Sequence, residues 1–323
     1  MNMIGKAHGI ELHSPDDAYF SYFNSPYTGH TLGSAIDIYP HHGEWGHSVQ
    51  APIDGRVTTI KKLRMGLEKS FPTADYDFGL AIKPENSKSD IVRILHVEPD
   101  VNVGDMIAVG DNIGTTIRSR YFNYWTGPHY HVEIMSENSF NRSSQSYPLE
   151  IPFEYTPTKS HSFAEEIEFE VKSVSRDNIV GYPKNLDYVS IGQYKGISAI
   201  HENANTIGII DGGIPHYKHG GVIGSFGVEA GSTIKLQGIQ IGSIEQSMQG
   251  ASYFHRHSPL IPYVDDHELW GLSCFVYTNF YARSGIPQLV LVPKYYSQFD
   301  RTYKEGDVLT LELRVDNNRI KTT

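Results

Sequence analysis

The sequence predicts a mainly β protein, an N-terminal antiparallel β-sheet domain followed by an all-β sandwich or barrel-like domain. Three observations carry this. Glycine, proline and tyrosine number 30, 17 and 21 among 323 residues; the first two mark turns and the third favours strands. In the first half, apolar stretches are short and separated by tight turns. In the second, Ile167, Phe169 and Val171 alternate with Glu166, Glu168 and Glu170, and Leu309, Leu311, Leu313 and Val315 repeat the alternation. A period of two belongs to a strand with one buried face.

Taken in order, Ser34–Tyr39 is a short apolar strand closed by Pro40. Val49–Ile60 is expected to form a hairpin, with Asp54-Gly55 as its turn. Gly79–Ile82 and Ile91–His96 are further strands. Val101–Gly114 carries Gly-Asp twice, at Gly104-Asp105 and Gly110-Asp111, which favours short strands bent at each glycine. The last strand of this half is Tyr130–Met135. Pro148, Pro152 and Pro157 interrupt any regular ladder between Tyr147 and Ser160. The expected domains are therefore residues 1–150 and 160–323, with helices a minor component of both.

Composition narrows the function. Hydrophobic residues make up 39% and charged residues 20%, enough apolar surface for a folded chain. Lys plus Arg is 27 against 37 Asp plus Glu, a net charge of −10. That field repels nucleic acid and anionic lipid, so neither is expected as a partner. The single cysteine, Cys274, sits in an apolar run and excludes an internal disulfide or a cysteine-rich zinc ribbon. No stretch approaches the roughly 18 apolar residues that span a bilayer. The first residues lack a basic end followed by an apolar core, so a cytoplasmic location is expected.

The strongest chemical signal is Gly127-Pro128-His129-Tyr130-His131-Val132-Glu133. Residues two apart on a strand share a face, so His129, His131 and Glu133 would project together. Two imidazoles and a carboxylate aimed into one space suit zinc. Upstream lie His30 on a Gly-flanked loop, Asp37 in a strand, the Val49–Val57 segment and Arg93-Ile94-Leu95-His96, in that order. The aromatic run Tyr121–Trp125 just before the histidine pair is either core packing or a wall of a substrate groove.

This succession, over roughly residues 27–135, resembles the lysostaphin-like zinc metallopeptidases, which cleave peptide crosslinks in bacterial cell walls. Their blocks run His…Asp, Val-x-Ala-x-x-x-Gly-x-Val, a strand ending in His-Leu, paired Gly turns, and Gly-Pro-His-Leu-His-Phe-Glu. The resemblance implies a compact domain of the duplicated hybrid motif type, related to barrel-sandwich hybrids. It implies zinc bound by His30, Asp37 and His131, with His96 and His129 as non-ligating catalytic histidines. The activity would be hydrolysis of a peptide or peptidoglycan-like substrate through metal-activated water. Glu133 is read as orienting a ligand rather than binding metal.

One departure matters. The family's first motif is His-x-Gly-x-Asp, whereas six residues separate His30 from Asp37. A bend permitted by Gly29 and Gly33 must return the imidazole; His41, His42 and His47 are the nearby substitutes. The altered spacing and the acidic chain support an alternative, a catalytically inactive metal-binding or structural module that keeps the fold. Phe254-His255-Arg256-His257, Asp265–Glu268 and the pair His216 and His219 are read as carrying no second metal, the first as a surface turn.

Overall fold

A computed structural model describes residues 1–40, 44–153, 166–201, 206–224, 228–256, 260–278 and 287–315. The chain divides into two compact units, Met1–Tyr22 with Tyr27–Pro152, and Phe23–Pro26 with Phe153–Thr323. Both are nearly all β. Among the described residues no helix is long and apolar enough to cross a membrane.

The first unit contains β1 (Asn2–Ala7), β2 (Ile10–Ser14), β3 (Tyr19–Ser21), helix α1 (Thr28–Thr31), β4 (Ala35–Tyr39), β5 (Ser48–Gln50) and β6 (Gly55–Arg64). It continues through β7 (Tyr76–Lys83), β8 (Asp90–Leu95), β9 (Val97–Pro99), β10 (Met106–Ile107), β11 (Asn112–Thr116) and β12 (Tyr130–Ser136). The main sheet is antiparallel in the order β3-β4-β12-β8-β7-β6-β10. A smaller sheet runs β5-β11-β9, and β1 pairs with β2.

The expected hairpin across Asp54-Gly55 does not form. β5 joins β11 and β6 joins β7 and β10, so the two segments enter different sheets. The intervening backbone bonds elsewhere: Ala51 N–H donates to the Asp111 carbonyl at 2.8 Å, Gly110 N–H donates to the Ala51 carbonyl at 3.0 Å, and the Asp54 carboxylate accepts from Val109 N–H. A turn signal fixes a local bend, not the strand that pairs beyond it. The doubled Gly-Asp turns are equivalent: Asp105 and Asp111 each accept from the N–H three residues back, with Gly104 and Gly110 at φ 103° and 90°.

β12 lies between β4 and β8 and shows how the sheet separates core from site. Val132 faces Ile36 and Ile94, and Ile134 faces Val92, all fully buried apolar contacts. The alternate residues meet polar partners: His131 opposite Asp37, and Glu133 opposite Arg93. Each large apolar side chain so buried contributes about 1.5–3 kcal/mol, and this packing holds the polar face in place.

The second unit contains β13 (Glu166–Val174), β14 (Ile179–Pro183), β15 (Tyr188–Ile191), β16 (Tyr194–His201), β17 (Thr206–Ile214), β18 (His219–Ile223) and β19 (Thr233–Leu236). Then follow β20 (Ile239–Met248), β21 (Ala251–Arg256), β22 (Leu260–Val264), β23 (His267–Cys274), β24 (Val276–Thr278), β25 (Leu289–Pro293) and β26 (Val308–Val315). The pairings close two antiparallel rings: β13-β14-β25-β23-β22-β26 and back to β13, and β16-β17-β18-β21-β20-β19 and back to β16. Closure removes exposed sheet edges. β17 serves both, pairing with β16 and β18 up to Asp211 and with β23 from Gly212 onward. The crossing requires glycine: Gly212 has φ 153°, and a Cβ there would lie 3.0 Å from Gly220 Cα.

The alternation read in β13 is the burial pattern, with Ile167, Phe169 and Val171 inside; Leu309 and Leu311 of β26 are inside with them. Cys274 is buried at 1% exposure, and burial pushes its thiol up, as an inert core residue requires. His255 and Arg256 lie on β21 rather than in the expected surface turn; His257 falls outside the described residues.

Candidate active site

Strand register assembles the site. Asp37 and His131 are directly opposed on β4 and β12, where side chains share a face within about 5 Å at Cβ. β8 pairs on the other side of β12, with Leu95 opposite His131, and delivers His96 one residue past its end. β7 pairs with β8 and contributes Asp77. β3, opposite β4, leads into Tyr22.

The six-residue gap before Asp37 is bridged by helical backbone rather than by a simple bend. α1 is a single turn, stopped by Gly33 at φ 63°. Ser34 N–H donates to the Gly29 carbonyl at 2.8 Å and Gly33 N–H to the His30 carbonyl at 3.1 Å, a Schellman closure. His30 thereby points inward and is 1% exposed.

Three ligand atoms converge: those of His30, Asp37 and His131 lie within 4.8 Å of one another. His131 Nδ1 is 2.8 Å from Asp37 Oδ1, and His30 Nε2 is 3.2 Å from both. Ligands at about 2.05 Å in a tetrahedron around zinc stand about 3.3 Å apart, so the donor set and its spacing fit that ion. The far nitrogens are also tied. His30 Nδ1–H donates to the Tyr22 carbonyl at 2.8 Å, leaving the Nε2 lone pair turned inward. His131 Nε2 faces Glu133 Oε1 at 3.5 Å. Among the described residues no other set of three such groups converges. His47 is not in this group, and His41 and His42 lie outside the described residues.

Glu133 is anchored in turn. Arg93 Nη2 binds its Oε2, and Ser146 Oγ donates to Oε1 at 3.2 Å. Arg93 also donates to the Phe140 carbonyl at 2.7 Å and to Ser143 Oγ at 2.6 Å. Such outer partners fix a ligand's ring orientation and tautomer.

His96 and His129 adjoin the convergent trio. His96 has φ 69° and donates from Nδ1 to Asp77 Oδ2 at 2.7 Å. Asp77 also accepts from Ser119 Oγ and Phe78 N–H, each at 2.7 Å. His129 precedes β12 rather than lying in it; its Nδ1–H donates to the Gly127 carbonyl at 2.9 Å, and its Nε2 is 3.6 Å from Asp37 Oδ2. The two rings are 5.6 Å apart at their centroids. Phe122 packs edge-on against both, while Tyr121 stacks on Tyr27 at 4.6 Å and stays partly exposed. The aromatic run therefore divides its roles: Phe122 is packing and Tyr121 faces solvent.

Burial and charge oppose one another here. Burial alone would raise the Asp37 carboxyl, but the His30 and His129 imidazoles and the hydrogen bond from His131 outweigh it and hold it well below the usual carboxylate range. Burial likewise disfavours the His131 cation, yet Glu133 and Asp37 lift it to about 9. His129 is governed by burial and falls to about 4. For Asp77, burial is again outweighed, by His96, Ser119 and Phe78, and its carboxyl is lowered. Arg93 neutralises Glu133, whereas the buried Asp37 carboxylate has only imidazoles around it.

Sequence reading gave no role to Asp77, Arg93, Ser119 or Ser146. Arg93 carried a usable signal, a charge inside the apolar run Ile91–Leu95, since arginine is seldom buried without a partner. Asp77 carried none. Gly29 is required by packing: a Cβ there would lie 2.6 Å from Glu133 Oε1 and 2.8 Å from Ala35 Cβ. Gly29→Ala is therefore expected to lower unfolding stability by about 1–3 kcal/mol. An increase in denaturation midpoint, as for an unhindered helical glycine, would contradict this packing.

Comparison with known proteins gives the following. The family described as "Domain of unknown function (DUF8155) N-terminal domain" matches residues 12–151. A search of curated proteins returns no match. Among solved structures, LytU aligns at 22% identity over 46% of this chain and 78% of its own, TM-score 0.28. The M23 metalloprotease pseudoalterin from the deep sea aligns at 16% identity over 44% and 75%, TM-score 0.26. The catalytic domain of the prophage-encoded M23 protein EnpA from Enterococcus faecalis aligns at 18% identity over 44% and 90%, TM-score 0.27. At these values the likeness assigns neither activity nor site residues, which rest on this chain's own geometry.

Proposed function

We propose that this chain is a zinc-dependent hydrolase of peptide bonds, with His30, Asp37 and His131 as metal ligands and His96 and His129 as catalytic histidines. The observation that carries it is the convergence of two inward-facing imidazole nitrogens and one carboxylate oxygen beside two further buried histidines. Bound zinc supplies Lewis acidity and lowers the pKa of water to about 7.

The chain's own residues divide the proton work by their partners. Gly127 holds the His129 Nδ1–H, so the neutral ring offers Nε2 as a proton acceptor. His96 donates its Nδ1–H to the Asp77 carboxylate behind it, which turns Nε2 the other way. His96 therefore suits taking up a proton at Nε2 and passing it toward an oxyanion or a leaving amine. Glu133, pinned by Arg93, keeps the His131 ring in one orientation. Tyr121 and Tyr27 give a partly exposed aromatic wall against which an extended peptide can lie.

The test is metal content and peptide cleavage by the purified full chain. The expected result is about one zinc per chain and hydrolysis of a wall-type peptide that a chelator abolishes and added zinc restores. Stoichiometric zinc with no turnover would leave the metal-binding module and overturn the hydrolase.

A further inference from the structure

A concavity lies on the connection between β6 and β7, with a volume of about 360 Å³ and Glu68, Lys69, Ser70, Phe71, Thr73 and Arg120 around it. That volume is in the range of small-ligand sites. Its floor is fixed. Phe71 is 8% exposed, and the Arg118 guanidinium sits 4.6 Å from its ring centre.

Its polar groups are unbalanced. Among the described residues neither Lys69 nor Arg120 makes an ion pair, although the whole chain carries ten net negative charges. Lys6 and Lys83, by contrast, pair with Glu150 and Glu137. Arg120 is held in place: its N–H donates to the Ala74 carbonyl at 2.9 Å and its Nη1 to the Gly66 carbonyl at 3.2 Å. Its Nε is buried and has no partner among the described residues. A buried donor without an acceptor is unfavourable, and a guanidinium fork matches a carboxylate geometrically.

The concavity also adjoins the candidate active site. Ala74 bridges Ser119, whose hydroxyl holds Asp77 behind His96, and Arg120 is followed by Tyr121 of the aromatic wall. We propose that Lys69 and Arg120 form an anion subsite that takes a carboxylate of a peptide ligand, either its C-terminus or an acidic side chain. This rests on the peptide-hydrolase reading and names the substrate class for it: peptides carrying a carboxylate beyond the bond at His96. With Glu68 in the same lining, Lys69 and Arg120 leave one positive charge in excess, which a single carboxylate matches, while the net negative chain opposes polyanions.

The test is titration of the full chain with N-acetyl-trialanine, its C-terminal amide and N-acetyl-Ala-Glu-Ala-amide, read by calorimetry and by the Arg120 Nε–H resonance. At least one carboxylate peptide is expected to bind about tenfold or more tightly than the trialanine amide, and which one does so identifies the source. Arg120→Gln and Lys69→Gln should each reduce that preference. It should persist in Asp37→Ala, which separates failure of the subsite from failure of the metal reading. Equal binding of acids and amide, a preference unchanged in both glutamine variants, or a response to inorganic phosphate alone would overturn the proposal. If Arg120→Gln does not fold, Lys69→Gln and the wild-type peptide comparison still decide it.

Discussion

Asp37→Ala is expected to reduce the zinc content of the purified chain from about one per molecule to near zero. Asp37 Oδ1 is the atom both imidazoles approach, at 2.8 Å from His131 and 3.2 Å from His30. Without it, two neutral nitrogens remain, and a two-ligand zinc site loses the charge and geometry that bind the ion. Asp37 is buried at 3% exposure in the middle of β4, so truncation also leaves a hole. Asp37→Asn keeps the volume and removes the charge, and it should lose zinc as well while melting closer to wild type. Elemental analysis of both variants, with thermal melts beside it, separates ligand loss from unfolding. Zinc retained in a folded Asp37→Ala would sink the assignment and the hydrolase with it.

The sequence showed some of this site and concealed the rest, for physical reasons. His131 was legible because a strand's period of two places it with Glu133, and β12 pairs in the register that sets it opposite Asp37. His30 was harder. Its spacing suggested a bend, and only the Gly33-stopped turn of α1 shows how the ring comes inward. The Val49–Ile60 hairpin failed because the bend at Asp54-Gly55 leaves open which neighbours the flanking strands join. Asp77 was invisible because its meaning lies in β7 pairing with β8, a long-range contact without a local pattern. In the second unit the alternation foretold the buried face of β13 and, in β26, the buried Leu309 and Leu311, but not the exposed Val315 at that strand's end. It did not foretell two closed rings sharing β17, since closure depends on which edges meet.

His96→Ala should leave zinc at about one per chain and reduce peptide cleavage by about 10²–10⁴-fold. His96 is not among the convergent ligand atoms, so its removal spares the metal. It does delete a histidine outside the ligand set whose Nδ1–H is held by the Asp77 carboxylate, itself fixed by Ser119. Phe122 and Tyr121 pack against the ring at 4.5 and 5.3 Å, so His96→Gln is the control for lost volume. Asp77→Asn tests the positioning role separately. An amide can donate to Nδ1 and stabilise the other tautomer, so kcat should fall while KM and zinc content stay near wild type. Nitrogen chemical shifts of the His96 ring should report the exchanged tautomer directly. Should Asp77→Asn alter neither the tautomer nor kcat, Asp77 is only a structural partner. Should His96→Ala cleave at the wild-type rate, the proton must be handled without His96, and His129 alone would remain.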